Sequence, residues 1–451
     1  MNGPQIRNMA VSVIGAARSG AGVARLLHSQ GARVFVSDRQ PAEKLKISLE
    51  AFRSQGIEAE VNGHTERVYR CTLMVISPGV PSNAPVVQEA LRQGIRVVSE
   101  LEAASWFCRS RMIAVTGSNG KTTTTTLIGR ILGDAKKKHV VAGNIGTAFS
   151  EVVLELAETD LAVLEVSSFQ LDHCEQFRPW ISVILNITED HMDRYDNSME
   201  RYAASKARIF MNQTDTDILI YSADDEWTVK TAGKAPCVTI PFSCRQEVQN
   251  GGFIRKDSLV TSFAGKRAEI LPTDQISIKG IHNWSNALAA TLVGHLAGVS
   301  TASIRATLKN FKGVEHRLEF VREVGGVRYY NDSKATNVDS VGYALRAFNE
   351  PVILLLGGRD KGNDYSRLEQ LVREHVKLVV AIGESADKVV DSFGRMVSVT
   401  KADSMEHALR HASRLAQAGD IVLLSPACAS FDWFDNYEHR GNVFKELVNR
   451  L

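Results

Sequence analysis

The stretch Met112-Ile113-Ala114-Val115-Thr116-Gly117-Ser118-Asn119-Gly120-Lys121-Thr122-Thr123 decides how the rest of the chain is read. Met112–Val115 predicts a buried strand, the two glycines a tight turn, and Thr124–Leu132 a helix. Such a turn lets backbone N–H groups curl around phosphate oxygens, with the positive end of the helix dipole behind them. Lys121 is placed to reach β- and γ-phosphates, and the Thr122 hydroxyl to ligate Mg2+. The common spacing is GxxxxGK[ST], but position 115 is Val, so the loop is the shorter GxxGK[ST]. The plainer reading is a glycine corner with an exposed lysine. With a strand before the turn and a helix after it, a nucleoside-triphosphate site is expected.

Two further strands run into glycine turns, Val11–Ile14 into Gly15 and Gly20, and Val352–Leu356 into Gly357 and Gly358. Short β-rich runs (32–36, 73–76, 161–166, 181–185, 218–221, 378–382 and 421–424) alternate with helix-period stretches. That alternation predicts an α/β protein with parallel sheets and crossover helices. The units restart near Cys108–Arg111 and Phe311–Val314, so three domains are expected, 1–108, 109–313 and 314–451. Gly251–Ser277 breaks the rhythm and predicts a small antiparallel β appendage on the middle domain.

The length of 451 residues agrees with two or three domains, at about 150 residues each. Hydrophobic residues make up 44% and charged residues 23%, a globular balance. Lys+Arg minus Asp+Glu is 53 − 51 = +2, too even for a nucleic-acid or membrane-surface partner. No apolar run has the length of a membrane span, and the first residues read as strand and turn rather than signal peptide. Cys71, Cys108, Cys174, Cys237, Cys244 and Cys428 form no CxxC pair, so free thiols in a reducing cytoplasm are expected. A soluble, multidomain, cytoplasmic protein is the resulting expectation; that the chain acts as a monomer is expected separately, since composition does not fix the oligomeric state.

Gly15-Ala16-Ala17-Arg18-Ser19-Gly20 is close to GxGxxG, with Ala17 where a glycine normally lets backbone approach a pyrophosphate. Asp38, 23 residues after Gly15 (38 − 15), ends the next strand, where an acid can hold a ribose hydroxyl. Ser77-Pro78-Gly79-Val80-Pro81 follows another strand at the edge where such sheets bind ligands. A phosphate loop and a dinucleotide-like turn in one chain suggest two phosphate-bearing ligands. A Rossmann-like domain without nucleotide is the alternative.

Glu165 sits near the carboxyl end of an apolar strand, where burying it unpaired is costly. Magnesium beside a triphosphate, or a nearby Lys or Arg, would compensate. Asn186-Ile187-Thr188-Glu189-Asp190-His191-Met192-Asp193-Arg194 follows the next strand and reads as an active-site edge. Further on, Asn197 and Glu200 have capping-box spacing, and Met199, Tyr202 and Ile209 mark an apolar helical stripe. Position 206 falls on that stripe and is lysine. Its side chain either snorkels outward to an acid or is buried with a neutral amine, which can react with carbon dioxide to give a metal-binding carbamate.

These residues resemble the Mur ligases, ATP-dependent amino-acid ligases of peptidoglycan precursor synthesis. The matching segments are TGSNGKTT at 116–123, GNIG at 143–146, LEVSSFQL at 164–171, NITEDHMDR at 186–194, ASKARIF at 204–210, HNWSNALAA at 282–290, VEHRLEF at 314–320, NDSKATN at 331–337, GGRDKG at 357–362 and SPACASFD at 425–432. Within the family the chain looks most like the branch that adds D-glutamate to UDP-N-acetylmuramoyl-L-alanine through an acyl phosphate. The resemblance implies a Rossmann-like N-terminal domain, a central P-loop ATPase-like sheet and a Rossmann-like C-terminal domain. It implies roles in cell-wall biogenesis, cell shape and division, with ATP and two magnesium ions.

It also implies site residues. Gly117, Asn119, Gly120, Lys121, Thr122 and Thr123 would hold the ATP phosphates, Asn286 the adenine, and Arg317 and Asp332 the phosphate and ribose. Thr122, Glu165, His191 and carbamylated Lys206 would bind magnesium. Lys121, His191, Lys206 and Lys334 would serve catalysis. Ser19, Asp38, Arg39, Gly79, Asn144 and Ser167 would bind the UDP precursor, and Thr336, Lys361, Ser430 and Tyr437 the D-glutamate. Ala17 is the departure that bears on the UDP contacts.

Other readings compete. A ligase of the same superfamily could add L-alanine, or glutamate to a folate. An NAD-dependent oxidoreductase fused to an NTPase would explain Gly15–Gly20 and Asp38, but not Glu165, His191 and Lys206 around one phosphate loop.

Overall fold

A computed structural model describes residues 4–45, 49–263, 265–360 and 362–451. They form three sheets in two compact units, Met1–Ile276 with Trp284–Asn310, and Ser277–Asn283 with Phe311–Leu451. In the first unit, five parallel strands lie in the order Glu58–Glu60, Arg33–Ser37, Ala10–Ile14, Leu73–Ile76, Arg96–Ser99. Helix Arg18–Ser29 follows the first strand through Gly15, whose φ of +92° a side chain would resist. At Gly20 a Cβ would collide with the Gly15 carbonyl, so the turn and the helix pack only as glycine.

The second sheet has nine strands, in the order Lys266–Pro272, Ser258–Phe263, Gly251–Arg255, Val238–Ser243, Ile218–Ser222, Ile181–Ile184, Arg111–Thr116, Leu161–Glu165, His139–Gly143. Its central strands are buried on both faces, as parallel strands under crossover helices must be. The stretch 251–272 is antiparallel as expected, yet it prolongs the same sheet, with Phe242 pairing Gly252 in parallel. Leu26, Leu101 and Ala104, from helices of the first sheet, share one apolar core with Met112, Ala114, Leu164 and Phe177. Helix Arg18–Ser29 comes close to helix Phe149–Val152 at Gly22, where a Cβ would meet Ser150 Oγ at 2.7 Å.

In the second unit six strands lie in the order Glu319–Val324, Val327–Asn331, Ile421–Leu424, Val352–Gly357, Val376–Ile382, Ser398–Lys401. All pair in parallel except the first, which is antiparallel to its neighbour. Val352–Gly357 alternates between two apolar cores, Leu354 and Leu356 on one face and Ile353 and Leu355 on the other. Among the described residues no helix is long and apolar enough to cross a membrane. The six cysteines are free thiols.

Candidate active site

Register brings the chemistry of the second sheet to one edge. Val115 pairs with Glu165, Thr116 with Ile184, and Gly143 with Glu165. The phosphate loop, the acid and the loops opening at Asn144, Ser167 and Leu185 therefore leave neighbouring strand ends, where open α/β sheets bind ligands.

Gly117 (φ +155°) and Gly120 (φ +83°) shape the phosphate loop. Gly120 is the N-cap of a helix that runs Lys121–Asp134, so Lys121 and Thr122 occupy its first turn, ahead of the predicted start at Thr124. Segment 186–188 braces the loop from the adjacent strand. Asn119 N donates to Asn186 Oδ1 at 2.7 Å, Ser118 N to Asn186 O at 2.9 Å, and Ser118 Oγ to Thr188 O at 2.8 Å. Lys121 Nζ donates to Gly117 O and Ser118 O, both at 2.8 Å. Asn286 is buried against the same loop. Its Oδ1 accepts from Thr124 Oγ1 at 3.2 Å, and a Cβ on Gly120 would collide with it.

Helix Met199–Ala207 is capped by Ser198, whose side chain accepts from Arg201 N, and not by Asn197. Asp196 and Asn197 adopt φ of +51° and +55°, a left-handed turn that these short polar residues tolerate, which moves the cap one position on. The apolar stripe faces the core as predicted and carries Lys206 inward, 1% exposed. Lys206 Nζ donates to Gly117 O at 3.0 Å and lies 4.5 Å from the Tyr202 ring centroid. Burial, reinforced by the nearby Lys121 charge, holds its amine well below the usual lysine range. Of the two fates open to it, burial rather than an outward reach to an acid is the one adopted.

Glu165 is 2% exposed. One carboxylate oxygen accepts from Asn144 Nδ2 at 3.1 Å, and the other is buried with no hydrogen-bond partner. A buried carboxylate oxygen in this state fits a cation as its missing neighbour. His191 adopts φ +54°, with Nε2 3.7 Å from Asp190 Oδ2 and its ring edge-on to Phe169 at 4.9 Å. Arg194 lies 4.0 Å from the Phe169 ring centroid.

A cavity of about 320 Å³ gathers six of the expected residues, Gly79, Lys121, Asn144, Ser167, His191 and Lys206. Asp190, Arg194, Phe169 and Tyr202 also line it. Phe169, Asp190 and Arg194 lie within the motif segments 164–171 and 186–194, and Tyr202 lies one helical turn before Lys206, so proximity to those motifs is the signal for them in the sequence. Ser19, Asp38 and Arg39 are not among the lining residues. Asp38 accepts from Ala16 N and Gln40 N, both at 2.7 Å, so its carboxylate ties the strand end to the glycine turn.

The second unit groups another set. Asp332 Oδ1 lies 3.8 Å from Arg317 Nη1, Asp332 Oδ2 accepts from Ser425 Oγ at 2.9 Å, and Lys334 Nζ is 5.1 Å from the Tyr437 ring centroid. Buried Arg440 donates to Ser333 Oγ and O and to Cys428 O, linking this group to the loop that carries Ser430, itself 2% exposed. Thr336 is half-buried, and Lys361 lies outside the described residues. Glu315, His316 and Glu319 bring ligand-type atoms together, but Lys445 donates to both carboxylates and takes up part of their charge.

Burial raises the Asp332 carboxyl to about 6 despite Arg317 and Ser425. The folded state then holds a proton that the unfolded chain releases above its ordinary value of 3.8, so stability falls as pH rises from there to about 6. The cost is complete at neutral pH, roughly 3 kcal/mol. Asp332→Asn should therefore gain thermal midpoint relative to the parent as pH rises from 4 to 7. A difference flat across that range would contradict the burial effect.

Family profiles match in chain order. One described as "Mur ligase MurD-like, N-terminal domain" matches residues 9–99, "Mur ligase middle domain" 115–294, and "Mur ligase, glutamate ligase domain" 316–428. The chain is 45% identical over 463 residues to the UDP-N-acetylmuramoylalanine--D-glutamate ligase of Salinibacter ruber, covering 100% of both. It is 46% identical over 448 residues to the protein of that name from Koribacter versatilis, covering 99% of this chain and 98% of the relative. Its fold is similar to the UDP-N-acetylmuramate-alanine ligase of Thermotoga maritima, with a TM-score of 0.62 at 18% identity, over 98% of this chain and 99% of the other. Matched in order along its length, and alike from end to end to those relatives, the chain belongs to the Mur ligase family.

Proposed function

We propose that this chain is an ATP-dependent ligase that joins D-glutamate to the alanyl carboxylate of UDP-N-acetylmuramoyl-L-alanine, releasing ADP and phosphate. The observation that carries the reading is the cavity in which Lys121, Asn144, Ser167, His191 and Lys206 converge beside buried Glu165. The D-glutamate specificity draws on the relatives of that name.

A carboxylate is a poor electrophile, and forming an amide from it in water is uphill. Moving the γ-phosphoryl group onto the alanyl carboxylate gives an acyl phosphate with a good leaving group. Attack by the glutamate amine then forms a tetrahedral oxyanion that collapses to amide and phosphate. Negative oxygens crowd together during the transfer, and Lys121, swung from its own loop carbonyls onto the β- and γ-phosphates, offsets that charge. Magnesium, when bound, supplies the remaining positive charge and orients the oxygens. Thr122, Glu165, His191 and Lys206 are the residues proposed to hold two ions. Lys206 fits after its neutral amine adds to carbon dioxide, losing one proton to give an N-carboxylate. Arg317 and Asp332 are proposed for ATP, Lys334, Thr336, Lys361, Ser430 and Tyr437 for D-glutamate and the transferred phosphate, and Ser19, Asp38, Arg39 and Gly79 for the UDP end.

The proposal includes three functional segments with borders near 108 and 313, and action in the cytoplasm, where ATP is available. Product analysis tests it. Incubation with ATP, magnesium, UDP-N-acetylmuramoyl-L-alanine and D-glutamate should give one new UDP species heavier by a glutamyl residue, with no product from L-glutamate or L-alanine. A product only from another amino acid would replace the substrate assignment.

A further inference from the structure

Where its two sheets meet, the first unit buries two carboxylates in a single turn of helix. Glu100 and Glu102 open helix Glu100–Ser105, directly after the edge strand of the N-terminal sheet, and both are 0% exposed. Glu102 Oε1 accepts from Gln176 N and Trp106 Nε1, both at 2.9 Å, and its Oε2 accepts from Phe177 N at 2.8 Å. Glu100 Oε1 accepts from Ser150 N at 2.8 Å. Ser150, Gln176 and Phe177 all belong to connections of the second sheet. Two more bonds cross the same boundary, Ser99 N to His173 O at 2.9 Å and the Ser82 Oγ–His173 Nε2 contact at 2.8 Å.

Each tie ends close in sequence to a wall of the active-site cavity. Ser150 stands after the loop that begins at Asn144, Gln176 follows the turn capped by Ser167, and Ser82 follows Gly79. Apolar packing tolerates sliding, whereas a buried carboxylate accepting several N–H bonds, as Glu102 does, is directional and strong; Glu100 adds a single bond, its Oε2 being buried without a partner.

We propose that Glu100 and Glu102 are positioning residues that lock the N-terminal sheet onto the second, so that the cavity keeps the spacing a UDP-linked precursor spanning both must match. This rests on the proposed function. Neither side chain is among the residues lining the cavity, so the effect acts through the segments they hold.

Glu102→Gln preserves size, but both carboxylate oxygens face N–H donors, so the new amide must oppose one of them in either orientation. In calorimetric titrations uridine diphosphate alone should bind this variant as it binds the parent. UDP-N-acetylmuramoyl-L-alanine should bind more weakly by about tenfold or more, with KM for ATP unchanged. Amide exchange at Gln176 and Phe177 should accelerate. Equal losses for both ligands, or no loss for the precursor, would overturn the proposal. If Glu102→Gln fails to fold, Ser82→Ala should produce the same bias toward the longer ligand at smaller size, and its absence there would overturn it too. A parent chain that binds neither ligand refutes the functional reading instead. The clamp is then judged by exchange, and unchanged protection at Gln176 and Phe177 overturns it.

Discussion

Lys121→Ala should lower precursor-dependent phosphate release from ATP by about a hundred- to a thousandfold, the usual loss when a group that stabilises developing transition-state charge is removed. The fold should survive. Lys121 is on the first turn of helix Lys121–Asp134, Ala is a better helix former than Lys, and the loop keeps its bracing from Asn186 and Thr188. Gly117 O also keeps its bond from Lys206. The thermal midpoint and far-UV spectrum should match the parent while turnover collapses. Release that still depends on the precursor and D-glutamate at near-parental rate would remove Lys121 from the chemistry.

Lys206→Met should lose ligation by about a hundredfold or more, the scale on which metal sites respond to a lost supporting or ligating group. Methionine fills much of the same buried space beside Tyr202 and Gly117 without a polar end, so the variant should fold. Removing dissolved carbon dioxide should slow the parent and bicarbonate should restore it. With 13C-bicarbonate the parent should show a carbamate carbonyl resonance that Lys206→Met lacks. An active variant, or a parent with no label and no response to carbon dioxide, would return Lys206 to the simpler role of a buried amine donating to Gly117 O.

Features fixed by local rules were readable from the residue order. A glycine turn between an apolar strand and a Lys-Thr pair can be recognised because backbone shape, helix dipole and side-chain reach all act within a few residues. Lys206 was visible as a misfit on an apolar stripe, but the stripe left snorkelling and burial both open, and only the packed core shows it buried. Where a residue's partner is remote, the reading fell short. The position of Asp38 at a strand end was readable, but its bond from Ala16 N in the glycine turn, 22 residues away, was not. Glu100 and Glu102 look like ordinary acids in the first turn of a helix, favoured there by the dipole. Their burial depends on a second sheet covering that turn, and its donors lie 50 to 75 positions along the chain. The cap at Ser198 was missed by one residue because Asp196 and Asn197 take a left-handed turn that spacing alone does not encode.

The activation step can be followed by a single isotope. With 18O in both alanyl carboxylate oxygens of the UDP precursor, an acyl-phosphate route transfers one labelled oxygen to each phosphate released and leaves the other in the new amide. Mass spectrometry of the phosphate formed with ATP and D-glutamate should show one 18O per molecule. Unlabelled phosphate accompanying amide formation would contradict attack of that carboxylate on the γ-phosphorus, and with it the proposed function of the site around Lys121, Glu165 and Lys206.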